Sequence, residues 1–334
     1  MRVGVFIEET WSFFHEIFEE LKKNNEVTLF ERRNISLPFF QTRATELINR
    51  RDLINFLGSN DVAFFEWASE LLAHATQLPK SCGIVTRLHR YEMYHWVDQI
   101  NWDVVDKIIL VSQAKKREFI RRFPAQASKV VVIPEAVSLN KFRPRDKVFN
   151  GDIGTLCDLT PRKRVYDLIL AFSELNRLRD GFRLHIGGGK HPRFADYYEA
   201  LLRLVSELGI EDKVIFYGRV NDPQDWYSKI DIFVSNSYSE GLQVSPLEAI
   251  ASGRYCLSHG WDGADELFSE ENIFYTDREL VERILRYSDA STDEKKEMID
   301  KLGCIVRKQF DLDKIKIQIR QLVEEAGANG ARSR

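Results

Sequence analysis

Residues 231–253 read DIFVSNSYSEGLQVSPLEAIASG, a strand, a loop and a helix in direct succession. Asp231-Ile-Phe-Val-Ser235 is short, apolar and β-rich, the composition of a buried strand. Asn236 to Gly241 is polar and holds a glycine, which suits a loop. Ser245-Pro246-Leu247-Glu248 places serine at an expected N-cap, proline at the first helical position and glutamate at the third, a capping-box pattern. Gly253 suits the helix end. The loop therefore falls at the carboxyl end of a strand, where open α/β sheets bind ligands, and the first-turn amides favour an anion there. Capping, at about 1 kcal/mol, accounts for Glu248. It leaves Glu240 open between a solvated loop acid and a carboxylate aimed at a ligand.

The same alternation runs through the whole chain. Strands are predicted at 2–7, 27–30, 62–65, 83–86, 107–111 and 129–133, and again at 152–155, 183–186, 213–217, 231–235, 255–258 and 272–275. Helical patterns lie between them, at 11–24, 165–178, 194–208, 246–251 and 277–287, with a long terminal pattern from Asp311. Repeated βαβ units imply parallel, doubly wound sheets. The polar, basic stretch LNKFRPRDKVFNG marks a linker. The predicted division is 1–145, 146–310 and a C-terminal helix and tail at 311–334.

Composition narrows the class. The 334 residues suggest two domains, and 44% hydrophobic with 30% charged is ordinary for a soluble globular protein. A net charge of −3 gives no global argument for nucleic acid. Cys82, Cys157, Cys256 and Cys304 lack C-x-x-C spacing, so they signal neither zinc nor a disulfide framework and fit a reducing compartment. No apolar run approaches transmembrane length, and acids interrupt MRVGVFIEETW where a signal peptide would continue apolar. The expectation is a cytoplasmic protein, with peripheral contact at the membrane face left open. His89-x-x-Glu92-x-x-His95 is not metal spacing, so no metal is expected.

Several segments carry a family resemblance. NSYSEGLQVSPLEAIASG, 236–253, resembles the E-x7-E signature of the retaining glycosyltransferases of family 4 (glycosyl transferases group 1), whose fold is GT-B. GTLCDLTPRKRVYDLILAFSEL (154–175), HIGGGK (185–190) and KVIFYGRVNDPQDWYSKIDIFVSNSYSEG (213–241) resemble the family's lysine segment, glycine turn and approach to the first glutamate. VDKIILVSQAKKREF (105–119) and VVVIPEAVSLNKFRP (130–144) resemble the last strands of its N-terminal domain and the linker. The first hundred residues resemble it weakly. The implied α/β architecture is two Rossmann-like doubly wound domains facing a central cleft, with the C-terminal helix crossing back to the N-terminal domain.

The resemblance implies transfer of a sugar from a nucleotide diphosphate sugar to a carbohydrate, lipid-linked or small-molecule acceptor, with retention and without cofactor or metal. It assigns Glu248 to the ribose, Glu240 to the donor sugar, and the amides of Gly241, Leu242 and Gln243 to sugar and phosphate. Main chain at Arg219 and Val220 falls to the nucleobase, and His89 to the donor sugar. Lys163 matches the family lysine facing the leaving diphosphate. Thr155 stands where the family has an arginine, and Arg162 is expected to replace that charge. A basic run before a helix opposes the dipole, a local misfit that points to function. Glu266 resembles a recurrent family glutamate. Glu9, Thr10 and Trp11 lack the family's glycine pair and could face the acceptor. Trp11, Phe13 and Phe14 are read chiefly as core. Two rivals stand beside this: a silent nucleotide-sugar binding or assembly subunit, and an epimerase or phosphorylase on the same fold.

Overall fold

The computed structural model describes residues 1–8, 11, 14–32 and 41–332, of which 41–46 and 329–332 as backbone alone; Glu9, Thr10 and Phe13 lie outside them. The chain divides into two compact units, Met1–Pro134 with Asp313–Arg334, and Glu135–Leu312. Each is built on one six-stranded sheet, and every strand pairing is parallel.

The first unit runs β1 (Arg2–Phe6), α1 (His15–Lys22), β2 (Glu26–Leu29), α2 (Gln41–Ser59), β3 (Val62–Phe65), α3 (Glu70–Ala75), β4 (Gly83–Leu88), β5 (Lys107–Leu110), α4 (Gln113–Arg122) and β6 (Val130–Val132). Strand order is β2-β1-β3-β4-β5-β6. β3 and β4 are buried along their whole length, as strands covered on both faces must be. α1 is shorter than the predicted 11–24: Phe14 caps it, and Trp11 precedes it in a turn, packed edge-on against Phe18 at 5.3 Å.

The second unit runs β7 (Asp152–Leu156), α5 (Val165–Leu178), β8 (Arg183–Gly187), α6 (Ala195–Glu207), β9 (Val214–Gly218), α7 (Pro223–Ser228), β10 (Ile232–Ser235), α8 (Val244–Ala251), β11 (Tyr255–His259), β12 (Ile273–Phe274), α9 (Asp277–Asp289) and α10 (Thr292–Gln309). Strand order is β12-β11-β10-β7-β8-β9. The chain leaves β7 toward β8 and returns on the other side at β10. The switch point, where such sheets open a crevice at the strand carboxyl ends, therefore lies between β7 and β10. Residues 135–145, expected in the first domain, pack in this unit. Phe142 meets Tyr227 at 6.0 Å, and Arg254 donates to the Arg145 carbonyl.

α11 (Leu312–Arg332) follows, and from Asp313 it belongs to the first unit, so the C-terminal helix does cross back. Arg320 donates to Glu20 at 3.1 Å, and Asn25 to Glu324 at 2.9 Å. Gly83 lets the two elements touch: a Cβ there would stand 2.7 Å from the Ala326 carbonyl oxygen. Among the described residues, no helix is long and apolar enough to cross a membrane.

The start of α8 corrects the capping-box expectation. The N-cap is Gln243, without a side-chain cap bond, and the helix begins at Val244. Pro246 is the third helical residue, still within the first turn, whose amides have no intrahelical acceptor, so its missing N–H costs no bond. Glu248 lies a turn inside the helix and caps nothing. The other end is as expected. Gly253, at φ 79°, donates to the Ile250 carbonyl and Arg254 to Ala249, the double bond of a Schellman ending.

Candidate active site

Two loops meet at the switch point. One follows β7 and contains Arg162 and Lys163 in a short 3-10 turn, Pro161–Lys163. The other follows β10 and contains Glu240. The Tyr238 amide donates to the Arg162 carbonyl at 3.3 Å, Asn236 Nδ2 to the Arg164 carbonyl at 2.9 Å, and Arg162 Nη1 to the Ser239 carbonyl at 2.8 Å. Arg164 is left-handed, with φ 50°, the one non-glycine with positive φ among the described residues. Such a conformation costs an L-residue about 1–2 kcal/mol, and it persists because the neighbouring loop holds it.

Glu240 is the centre of this arrangement. Its Oε1 lies 2.8 Å from Lys163 Nζ, 2.5 Å from Arg162 Nη1 and 2.8 Å from Gln243 Nε2. The side chain is 9% exposed, Lys163 13% and Arg162 29%. Burial pushes the Glu240 carboxyl up, but the charges of Lys163 and Arg162 and their hydrogen bonds outweigh it and hold it below its ordinary value. The site thus carries an ionised acid between two cations, with a net positive charge at the sheet edge. Gln243 completes the frame. Its Oε1 accepts from Ser235 Oγ, and its Nε2 donates to Ser237 Oγ at 3.1 Å and to Glu240.

Beyond Glu240 the chain turns into α8. Among the described residues, the amides of Gly241, Leu242 and Gln243 meet no acceptor. Three adjacent N–H groups at a helix start, beside two cations, make an anion cradle. Glu248 stands apart from the cations, half-buried, and accepts from the Tyr227 hydroxyl at 2.9 Å. Burial pushes its carboxyl up to about 7, against the Tyr227 hydrogen bond and the more distant charge of Lys141. The two glutamates therefore differ: one is kept ionised by cations, the other is poised near neutrality.

The remaining predicted residues are scattered. Arg219 (exposed) and Val220 (half-buried) follow β9, two strands beyond β7. The turn after β8 lies between that loop and the first: the Gly188 amide donates to the Gly218 carbonyl at 2.8 Å, and the Cys157 amide donates to the Gly187 carbonyl at 3.1 Å. Thr155 is 4% exposed, in β7. Glu266 sits in the 3-10 turn Ala264–Glu266 after β11, the neighbour of β10. His89 belongs to the first unit. Its ring lies 4.1 Å from that of Trp67, and its Nε2 is 3.4 Å from Glu66 Oε1, which accepts from Arg87 at 2.9 Å. Glu92 is buried beside this group while His95 is exposed.

Sequence reasoning missed Tyr227 and the Gln243 side chain. Ser235, Asn236 and Ser237, three consecutive polar residues all at most 4% exposed, were the available signal. Polar residues are rarely buried that completely without partners, but their burial is not written in their spacing.

Residues 150–289 match the family described as glycosyl transferases group 1. D-inositol 3-phosphate glycosyltransferase of Streptomyces avermitilis is 27% identical over 46% of this chain and 37% of its own length. Alpha-monoglucosyldiacylglycerol synthase of Streptococcus pneumoniae is 26% identical over 57% of this chain and 46% of its own. The chain thus spans less than half the length of these curated relatives. Anabaena Alr3699/HepE, crystallised with UDP and glucose, has a TM-score of 0.80 at 18% identity, covering 97% of this chain and 99% of that one. Both loops that meet at Glu240, and the helix that carries Glu248, fall inside the matched segment. Residues 150–289 are thus similar to the glycosyl transferases group 1 family, and the chain that carries them has the GT-B fold.

Proposed function

We propose that the chain is a retaining glycosyltransferase that takes a sugar from a nucleotide diphosphate sugar and passes it to a hydroxyl acceptor. One observation carries this reading: Lys163 and Arg162 converge on buried Glu240 beside three amides without acceptors, at the switch point of a Rossmann-like sheet. As the anomeric C–O bond to phosphate breaks, negative charge grows on the leaving diphosphate. Cations and amides fixed there stabilise it most in the transition state. The acceptor oxygen forms the new bond on the same face, and its proton passes to the leaving phosphate oxygen. No side chain need act as base or nucleophile. Glu240 orients the two cations and meets the donor sugar, while Glu248 accepts from the ribose hydroxyls. Main chain at Arg219 and Val220 is assigned to the nucleobase and His89 to the sugar, both on the resemblance.

UDP-sugars are the first donors to try, because a protein of the same fold holds UDP and glucose. The test is turnover of Lys163→Ala and Glu240→Ala on the donor that the wild type uses best among UDP-, GDP- and ADP-sugars. Losses of about 10²–10³ in kcat are expected from removing one charge-stabilising group. Wild-type kcat/KM in both variants would place the reaction elsewhere. Nucleotide binding without turnover on any donor and acceptor would favour a silent binding subunit instead.

A further inference from the structure

We infer that the buried Tyr227 hydroxyl is a positioning residue for Glu248, docking one carboxylate oxygen so that the other faces a nucleotide's ribose. This rests on the proposed role of Glu248. Tyr227 is 0% exposed, so it touches no ligand itself. Its ring is wedged among Trp226, Phe233 and Phe142, at 5.4, 5.9 and 6.0 Å. Its hydroxyl lies 2.9 Å from Glu248 Oε2 and 3.1 Å from the Ser245 carbonyl oxygen, one helical turn earlier. Among the described residues it is the one hydrogen-bond partner of the Glu248 carboxyl; Lys141, from the segment before β7, acts through charge alone.

A phenol has one hydrogen, and these two acceptors let it serve two states. With Glu248 ionised, the hydroxyl donates to Oε2. With Glu248 protonated, the acid donates to the tyrosine oxygen, whose hydrogen turns to the Ser245 carbonyl. Oε2 stays docked in both states, and Oε1 is left for the ligand. Oε1 is the stronger acceptor for the ribose hydroxyls when the carboxylate is ionised, so ribose recognition is strongest in the state that Tyr227 stabilises by donating. Burial, which pushes Glu248 up to about 7, puts the exchange within reach of neutral pH.

The experiment compares wild type with Tyr227→Phe, which removes one oxygen and keeps the ring. UDP, GDP and ADP and their 2′-deoxy counterparts are titrated by calorimetry at pH 6 and pH 8. The readout is each protein's ribose preference, the ratio of ribonucleotide to deoxynucleotide affinity. It is taken within one protein, so a partly unfolded sample does not alter it. Wild type is expected to prefer ribonucleotides, more strongly at pH 8. Tyr227→Phe should lose about tenfold or more of that preference, the weight of a hydrogen bond to a charged group. What remains should need a higher pH, because the ionised form has lost its donor. Undiminished ribose preference in Tyr227→Phe overturns the inference and leaves the proposed function standing. A wild type that binds nucleotides without ribose preference overturns the role of Glu248 and this inference together.

Discussion

Glu92→Gln should stabilise the protein at alkaline pH and do little in acid. Glu92 is 1% exposed, in the 3-10 turn after β4, and neither of its oxygens has a hydrogen-bond partner in good geometry among the described residues. Burial lifts its carboxyl from 4.5 to about 7, against the charge of His89 and the pull of nearby main-chain amides. A raised acid stabilises the fold fully below its unfolded pKa, and that contribution is lost as pH rises toward the folded one. Between those values the native state holds a proton that the unfolded chain has released. At 1.36 kcal/mol per pKa unit the loss totals about 3 kcal/mol, most of which falls between pH 5 and pH 8. Glutamine fills the same space without a charge to bury. The stability difference between variant and wild type, from urea titrations at both pH values, should therefore open by up to that amount in favour of the variant at pH 8. A difference that does not change with pH would mean Glu92 is already solvated or paired, and would refute the reasoning.

Two further outcomes follow from the second unit. Gln243→Ala removes the neutral donor that holds Glu240 to the end of β10; kcat should fall about tenfold with a smaller change in donor KM, since the Glu248 contacts remain, and an unchanged kcat would show that the two cations suffice. Gly188→Ala places a Cβ 1.9 Å from the Cys157 carbonyl oxygen at φ 138°; a loss of at least about 1–3 kcal/mol is expected in urea unfolding, and an unshifted midpoint would contradict the turn's geometry.

Much of this protein was legible in one dimension. Strand positions came from short apolar β-rich runs, because a parallel sheet covered on both faces leaves no exposed side to break the run. The 165–178 helix was found to the residue, since its apolar stripe begins and ends where Arg164 and Arg179 leave helical geometry. That Lys163 and Glu240 belong to one site came from the family resemblance, whose motifs place each after a strand that a doubly wound sheet brings side by side; their direct ion pair is seen only in the structure. Other features were settled only by packing. The capping box at Ser245–Glu248 was a sound local pattern, but a neighbouring tyrosine engaged Glu248 and Gln243 took the cap position. Local propensity is worth about 1 kcal/mol, less than the burial around it. The sequence also could not assign different charge states to two glutamates eight residues apart. Their chemistry as free side chains is the same. Two cations 77 and 78 residues upstream hold one ionised, and burial pushes the other up to about 7, because electrostatics inside a protein depends on which groups the fold brings within a few ångströms.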